Sequence, residues 1–124
     1  MSTQALLNVQ CCDGVLRSSY VHFDGDSLLP LLNGNYRSQE QAEDLVSLGD
    51  ASYLAESMAP RMGQRHSFDN PVEGVCVFYG RDRGEEDTGP AEYKSLKEAH
   101  AVAKRRLINY VYDWEGEKWT KRRP

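Results

Sequence analysis

Two runs near the N-terminus, residues 5–12 and 15–23, alternate apolar and polar positions as half-buried β-strands do. An Asp-Gly pair at residues 13–14 separates them, and this dipeptide is typical of a two-residue hairpin turn. A loop of that length places Cys11 opposite Leu16. Neither face of the hairpin is then wholly apolar, so we expect one face to be covered and the other to be partly covered.

Helical spacing of apolar residues follows the hairpin. The leucines of residues 28–32 predict a short helix despite Pro30, and Ser38 with Gln41 forms a capping box that predicts a helix over residues 39–48. Gly49 stands where a helix commonly ends in glycine. A further short helical turn is predicted over residues 51–57, with Asp50 as its cap.

A second capping box, Ser95 with Glu98, predicts a later helix. Its apolar stripe consists of Leu96, Ala99, Ala103 and Leu107. Between the helical regions, the apolar run at residues 75–79 predicts a buried, central strand that ends at Tyr79. Two long loops, residues 58–74 and 80–94, flank that strand, and loops of such length are commonly functional.

The C-terminal region alternates aromatic and polar residues, which predicts a hairpin of residues 110–114 with 117–120. A turn at residues 115–116 places Tyr112 opposite Trp119. The element order β-β-α-α-β-α-β-β predicts a single α+β domain over residues 1–124. We expect two layers, with about five strands in an antiparallel or mixed sheet and two main helices.

Charge limits the classes of function. The 124 residues include 15 Lys and Arg and 19 Asp and Glu, giving a net charge of −4, which argues against a general nucleic-acid binder. We expect neither a membrane span nor a signal peptide, because no apolar run is long enough. The three cysteines, Cys11, Cys12 and Cys76, fit neither a disulfide framework nor a zinc motif. This predicts a reducing compartment, the cytoplasm.

Three stretches carry a family resemblance: YVHFDG at residues 20–25, LVSLGD at residues 45–50, and HSFDNPVEGVCVFYGRDRGEEDT at residues 66–88. They resemble an uncharacterised family of small proteins of tailed bacteriophages and prophages. That family usually has a Tyr-Pro and a longer segment after its Asp-Gly, whereas here Asp26-Ser27 leads directly into Leu28. The resemblance implies a phage origin and the cytoplasm of a bacterial host cell, and it implies no activity.

The resembling stretches also contain the candidate binding residues. These polar side chains end the second strand or occupy the two long loops: His22, Asp24, His66, Asp69, Tyr79, Arg81, Asp82 and Arg83. If strands 15–23 and 75–79 are neighbours, the residues at their ends gather at one edge of the sheet. We expect an Asp24–Arg81 ion pair there, since buried charges need partners.

Three functions are compatible with these residues. The favoured one is a non-enzymatic accessory module for host takeover, which binds a host protein through its loops and needs no cofactor. The second is a small hydrolase or nuclease that uses His22, Asp24, His66 and Asp82 with a metal or as acid and base. A metal would also take Asp69 as a ligand.

The third function is nucleic-acid contact through the C-terminal hairpin. Trp114, Trp119 and Tyr110 would stack on bases, beside the cations Lys118, Lys121, Arg122 and Arg123. A further basic trio ends the preceding helix at residues 104–106. Basic and acidic residues nearly balance over residues 65–124, at 12 and 11. This favours solubilising charge over a nucleic-acid surface.

Overall fold

A mixed seven-stranded sheet is the centre of the computed structural model, which describes residues 2–124. The strands are β1 (Ala5–Gln10), β2 (Leu16–Val21), β3 (Ala51–Tyr53), β4 (Val77–Phe78), β5 (Ala91–Tyr93), β6 (Tyr110–Trp114) and β7 (Trp119–Arg122). The helices are α1 (Leu28–Asn35), α2 (Gln39–Ser47), α3 (Tyr79–Arg83) and α4 (Leu96–Arg105).

The strands lie in the order β4-β3-β2-β1-β6-β7, and β5 pairs with the first half of β2. The β1–β6 and β2–β3 pairs are parallel, while the other pairs are antiparallel. The predicted α+β class with a mixed sheet is confirmed. The sheet has seven strands rather than about five, because β3 and β5 are short segments without a clear alternating pattern.

The first hairpin has a register one residue away from the predicted one, since Leu16 pairs with Gln10 and not with Cys11. The Cys11 N–H donates to the Val15 carbonyl at 2.9 Å, which leaves a turn of three residues, and the Gly14 N–H donates to the Cys11 carbonyl at 3.0 Å. Gly14 has a φ of 88°, as expected for a type I turn followed by a left-handed glycine. A one-residue shift moves every side chain of one strand to the opposite face of the sheet relative to its partner strand.

The two faces of the sheet are covered unequally. Helices α1 and α2 cover one face, where the main core includes Leu7, Val9, Tyr112 and Trp119. Helix α4 packs on the opposite face over a small cluster: Leu6, Ala103, Ile108 and Val111. Thus α4 adds a third, partial layer to the two that the sequence predicts.

Both predicted capping boxes start helices. The Ser38 hydroxyl accepts a hydrogen bond from the Gln41 N–H, and the Ser95 hydroxyl accepts one from the Glu98 N–H. Gly49 follows α2 with a φ of 82°. The helical turn predicted over residues 51–57 is wrong, since that segment begins with β3, whose Ala51 pairs with Val21 of β2.

Strand β4 is buried as predicted, but it lies at the end of the strand order and is not central. The two residues before β4 contact a neighbouring loop, where Ser57 bridges Val75 and accepts a hydrogen bond from the Cys76 N–H. An apolar run therefore indicated burial correctly but could not show what buries it. Tyr79 begins α3 and does not end the strand.

The C-terminal hairpin pairs Trp114 with Trp119 across a four-residue connection, and Tyr112 pairs with Lys121. The predicted pairing of Tyr112 with Trp119 is wrong by two residues. Because a two-residue shift preserves the face of each side chain, both rings still enter the main core. The two tryptophan rings have centroids 5.6 Å apart.

Candidate functional site

The predicted site residues separate into two groups on either side of β3. The backbone of His22 donates to Ala51 of β3 at 3.0 Å, which places the end of β2 against one side of that strand. Ala51 pairs with Phe78 of β4 on its other side. His66, Arg81 and Asp82 therefore lie across β3 from His22 and Asp24.

His66 and Arg81 converge on one backbone oxygen. The Nε2 of His66 and the Nη2 of Arg81 each lie 3.0 Å from the carbonyl oxygen of Cys76. Arg81 also donates to the carbonyl of Met58. We call His66, Arg81 and Asp82 the clasp, because they hold the loop of residues 58–74 against α3 and the residues before it.

Asp82 is the charged centre of the clasp. Its carboxylate accepts the Phe78 N–H at 2.8 Å and two guanidinium N–H groups of Arg81 at 2.9 and 3.1 Å. Burial alone would raise the pKa of Asp82, but the hydrogen bonds from Arg81 and Phe78 and the charge of Arg81 outweigh it and lower the pKa. The group is thus an ionised carboxylate with its acceptor sites occupied.

The imidazole of His66 is also fully engaged. Its Nδ1 accepts the Val72 N–H at 2.9 Å, so the ring proton is on Nε2 and points to Cys76 and Asp82. The side chain is 2 % exposed. A ring with both nitrogens bound to its own protein is neither a ready metal ligand nor a proton acceptor for a substrate.

The metal site that the alternative hydrolase function would use is not formed by the described residues. Within residues 2–124, no three His, Cys, Asp or Glu side chains are grouped so that they could hold a metal ion. His22 lies across β3 from the clasp and bonds to the Tyr20 hydroxyl through Nδ1 at 2.6 Å. Asp69 is exposed on the loop. The metal-dependent form of the hydrolase hypothesis therefore has no ligand group among these residues.

The predicted Asp24–Arg81 ion pair is also absent from the salt bridges of the described residues. Arg81 is committed to Asp82, Met58 and Cys76. Asp24 has a φ of 62° in a turn where its carbonyl accepts the Ser27 N–H. The ion pair that does form joins neighbours in sequence, Arg81 and Asp82, at 2.9 Å.

Three contacting side chains, Phe68, Tyr79 and Arg83, lie next to the clasp. Phe68 packs on Tyr79 with ring centroids 5.8 Å apart, and the guanidinium of Arg83 sits 4.6 Å from the centre of the Phe68 ring. The Phe68 N–H donates to the carbonyl of Asp82 at 2.9 Å, which fixes the loop backbone. We call Phe68, Asp69, Tyr79 and Arg83 the loop surface.

Tyr20 is the centre of a second polar group on the α4 side of the sheet. The pKa of Tyr20 is raised by burial and by Tyr79 and Asp50, while Arg106 lowers it. The Arg106 guanidinium lies 5.5 Å from the centre of the Tyr20 ring. Burial also raises the pKa of Asp50, whose carboxylate accepts the Tyr20 N–H at 3.1 Å.

Sequence reasoning missed a buried polar chain beneath α4. His100 Nε2 contacts the Asp113 carboxylate at 2.9 Å, Asn8 donates to the same carboxylate at 2.9 Å, and Ser18 donates to Asn8. These four side chains join α4, β6, β1 and β2. A charged residue between Tyr112 and Trp114 in a buried strand is the signal that could have revealed it.

The C-terminal hairpin does not offer its tryptophans to a ligand. Trp114 and Trp119 are 6 % and 1 % exposed, and the Trp119 indole donates to the Tyr36 carbonyl. Tyr110 has Lys121 and Arg123 over its ring, at 4.3 and 5.6 Å. The stacking mechanism predicted for nucleic acid is contradicted, because two of its three rings belong to the core.

No protein-family model, curated protein or solved structure matches the chain. Among the helices of residues 2–124, none is long and apolar enough to cross a membrane. The three cysteines are all free, with Cys12 exposed and the other two buried. The functional assignment therefore depends on the geometry of the clasp and of the loop surface.

Proposed function

We propose that this protein is a non-enzymatic, phage-derived module that binds a host bacterial protein through the loop surface. The observation that supports it is the clasp. Its side chains bond to the protein's own backbone and hold an aromatic and cationic patch in one conformation. A loop fixed before binding loses less conformational entropy when a partner docks.

The composition of the loop surface favours a protein partner. Aromatic and arginine side chains contribute most of the binding energy at protein interfaces, and here Phe68 and Tyr79 lie beside Arg83. Asp69 adds an exposed negative charge. A partner should therefore combine an apolar contact with charges of both signs.

Neither Cys12 nor Cys76 has an activated thiol. Burial raises the pKa of Cys76, and a hydrogen bond and the negative charge of Glu43 raise the pKa of Cys12, so both favour the protonated thiol. The family resemblance supports a phage origin, and free thiols suit the bacterial cytoplasm.

A paired charge reversal tests the proposal. Immobilised wild type, Arg83→Glu and Arg61→Glu are each exposed to bacterial lysate, and retained proteins are identified by mass spectrometry. Arg61 is the control, since it is an exposed arginine of the loop of residues 58–74 that lies outside the loop surface. We expect one partner to be retained by wild type and Arg61→Glu and lost by Arg83→Glu, with equal melting temperatures.

Two results would overturn the proposal. One is equal retention of every captured protein by the two variants. The other is turnover of a substrate by the purified protein that Arg83→Glu leaves unchanged.

A further inference from the structure

Helix α4 ends in a Schellman motif that has leucine where glycine is usual. The Ile108 N–H donates to the Ala103 carbonyl at 3.0 Å, and the Leu107 N–H donates to the Lys104 carbonyl at 3.2 Å. Leu107 therefore occupies the left-handed position, with a φ of 57°. This conformation costs free energy for a residue with a Cβ and little for glycine.

Packing in the core does not offset the free-energy cost of this conformation at Leu107. Its side chain is 84 % exposed, while the apolar contact of the motif is made by Ile108 and Ala103. Folding alone would thus favour glycine at this position. Strained non-glycine residues cluster at functional sites, so the backbone conformation of Leu107 points to a role of its side chain in binding.

Cations surround this leucine. A groove of about 420 Å³ next to it is lined by Lys104, Leu107, Ile108, Asn109, Arg123 and Pro124. Arg105 and Arg106 continue the positive charge along the end of α4. Among the salt bridges of the described residues, none involves Lys104, Arg105 or Arg123.

We infer that this groove binds an acidic protein segment that places a large apolar side chain against Leu107. The surface is separate from the loop surface, so the inference goes beyond the proposed function. Charge complementarity selects Asp and Glu around the apolar anchor. Nucleic acid is a poorer fit, because an aliphatic leucine offers no stacking face and Tyr110 already carries two cations.

The test is an NMR titration of the isotope-labelled full chain with a synthetic peptide in which one Trp is flanked by Asp and Glu. We expect amide shifts confined to residues 104–109 and 121–123. A peptide with Ser in place of Trp should bind about tenfold more weakly, since burial of one large apolar side chain is lost.

Leu107→Gly separates binding from folding. This variant should bind the Trp peptide about tenfold more weakly than wild type does, while its melting temperature stays the same or rises. Leu96→Ala is the matched control, an exposed leucine at the other end of α4, and it should bind like wild type. Arg83→Glu should also bind like wild type, which keeps this test independent of the loop surface.

Several outcomes would overturn the inference. These are equal affinity for the Trp and Ser peptides, and unchanged affinity in Leu107→Gly. Tighter binding of an oligothymidylate, or of phosphatidylserine vesicles, would assign the surface to nucleic acid or lipid. Self-association that Leu107→Gly abolishes would assign it to a second copy of the chain.

Discussion

The carboxylate of Asp82 accepts a hydrogen bond from the backbone N–H of Phe78 at 2.8 Å. This contact joins α3 to the last residue of β4, at the edge of the sheet. It also fixes the carboxylate between Arg81 and His66, so one side chain connects a strand, a helix and a long loop.

Asp82→Asn should therefore destabilise the fold by about 2 kcal/mol, because an NH2 group replaces one of the two oxygens that accept from Arg81 and the negative charge of the ion pair is lost. Urea unfolding measures the loss. Asp69→Asn is the control, an exposed acid of the loop, and it should change the free energy of unfolding little. Equal effects of the two variants would contradict the structural role of the clasp.

The difference in stability between wild type and Asp82→Asn should depend on pH. The pKa of Asp82 is lowered in the folded protein, so its stabilisation is present above the unfolded pKa of about 4. As the pH falls through the lower folded pKa, the stabilisation is lost. The gap in melting temperature between wild type and Asp82→Asn should be constant near neutral pH and should narrow in acid. A gap that widens there would contradict the assignment.

The ionised carboxylate of Asp50 should have the opposite effect on stability to that of Asp82. Burial raises its pKa, so the ionised carboxylate opposes folding above the folded pKa and the penalty disappears towards the unfolded pKa of about 4. Asp50→Asn keeps an oxygen to accept the Tyr20 N–H, and it should raise the melting temperature by a few degrees at neutral pH. The gain should vanish in acid. Thermal unfolding across pH checks both statements, and a lower melting temperature at neutral pH would contradict them.

Local rules predicted the two capped helices well and the strand pairings less well. The capping residues Ser38 and Ser95 act within one turn of chain, so their effect can be read from the sequence. By contrast, an Asp-Gly pair fits both a two-residue turn and the three-residue turn with Gly14 that forms. Because the turn is one residue longer than predicted, the register of the whole first hairpin differs from the predicted one.

The candidate site shows the same limit. The sequence identified His66, Arg81 and Asp82 as unusual but assigned Arg81 to Asp24. The partner shared by His66 and Arg81 is the carbonyl oxygen of Cys76, and a contact to a backbone atom cannot be read from a pattern of side chains. Similarly, Asn8 and Asp113 meet only because β1 and β6 are parallel neighbours, a pairing between residues far apart in sequence.

The thiols should react in a defined order. A disulfide reagent added to the native protein should label Cys12 and leave Cys11 and Cys76 until unfolding, because these two are buried. Glu43→Gln should speed the labelling of Cys12, since the Glu43 carboxylate raises that thiol's pKa. Glu40→Gln, a change on an exposed neighbour in α2, is the control. Simultaneous labelling of all three thiols would contradict the packing around Cys11 and Cys76.

Two glycine-to-alanine changes should have opposite effects on stability. Gly49 has a φ of 82°, and a Cβ there would overlap the carbonyl oxygen of Thr88, which accepts the Asp50 N–H at 2.8 Å. Gly49→Ala should cost more than about 3 kcal/mol, since left-handed strain adds to the displacement of backbone. Gly34 lies in α1 with open space around it, so Gly34→Ala should stabilise the fold by about 0.5–1 kcal/mol through helix propensity. The urea midpoints of unfolding measure the stability of both variants. A Gly49→Ala midpoint equal to that of wild type would show that residue 88 does not pack against the end of α2.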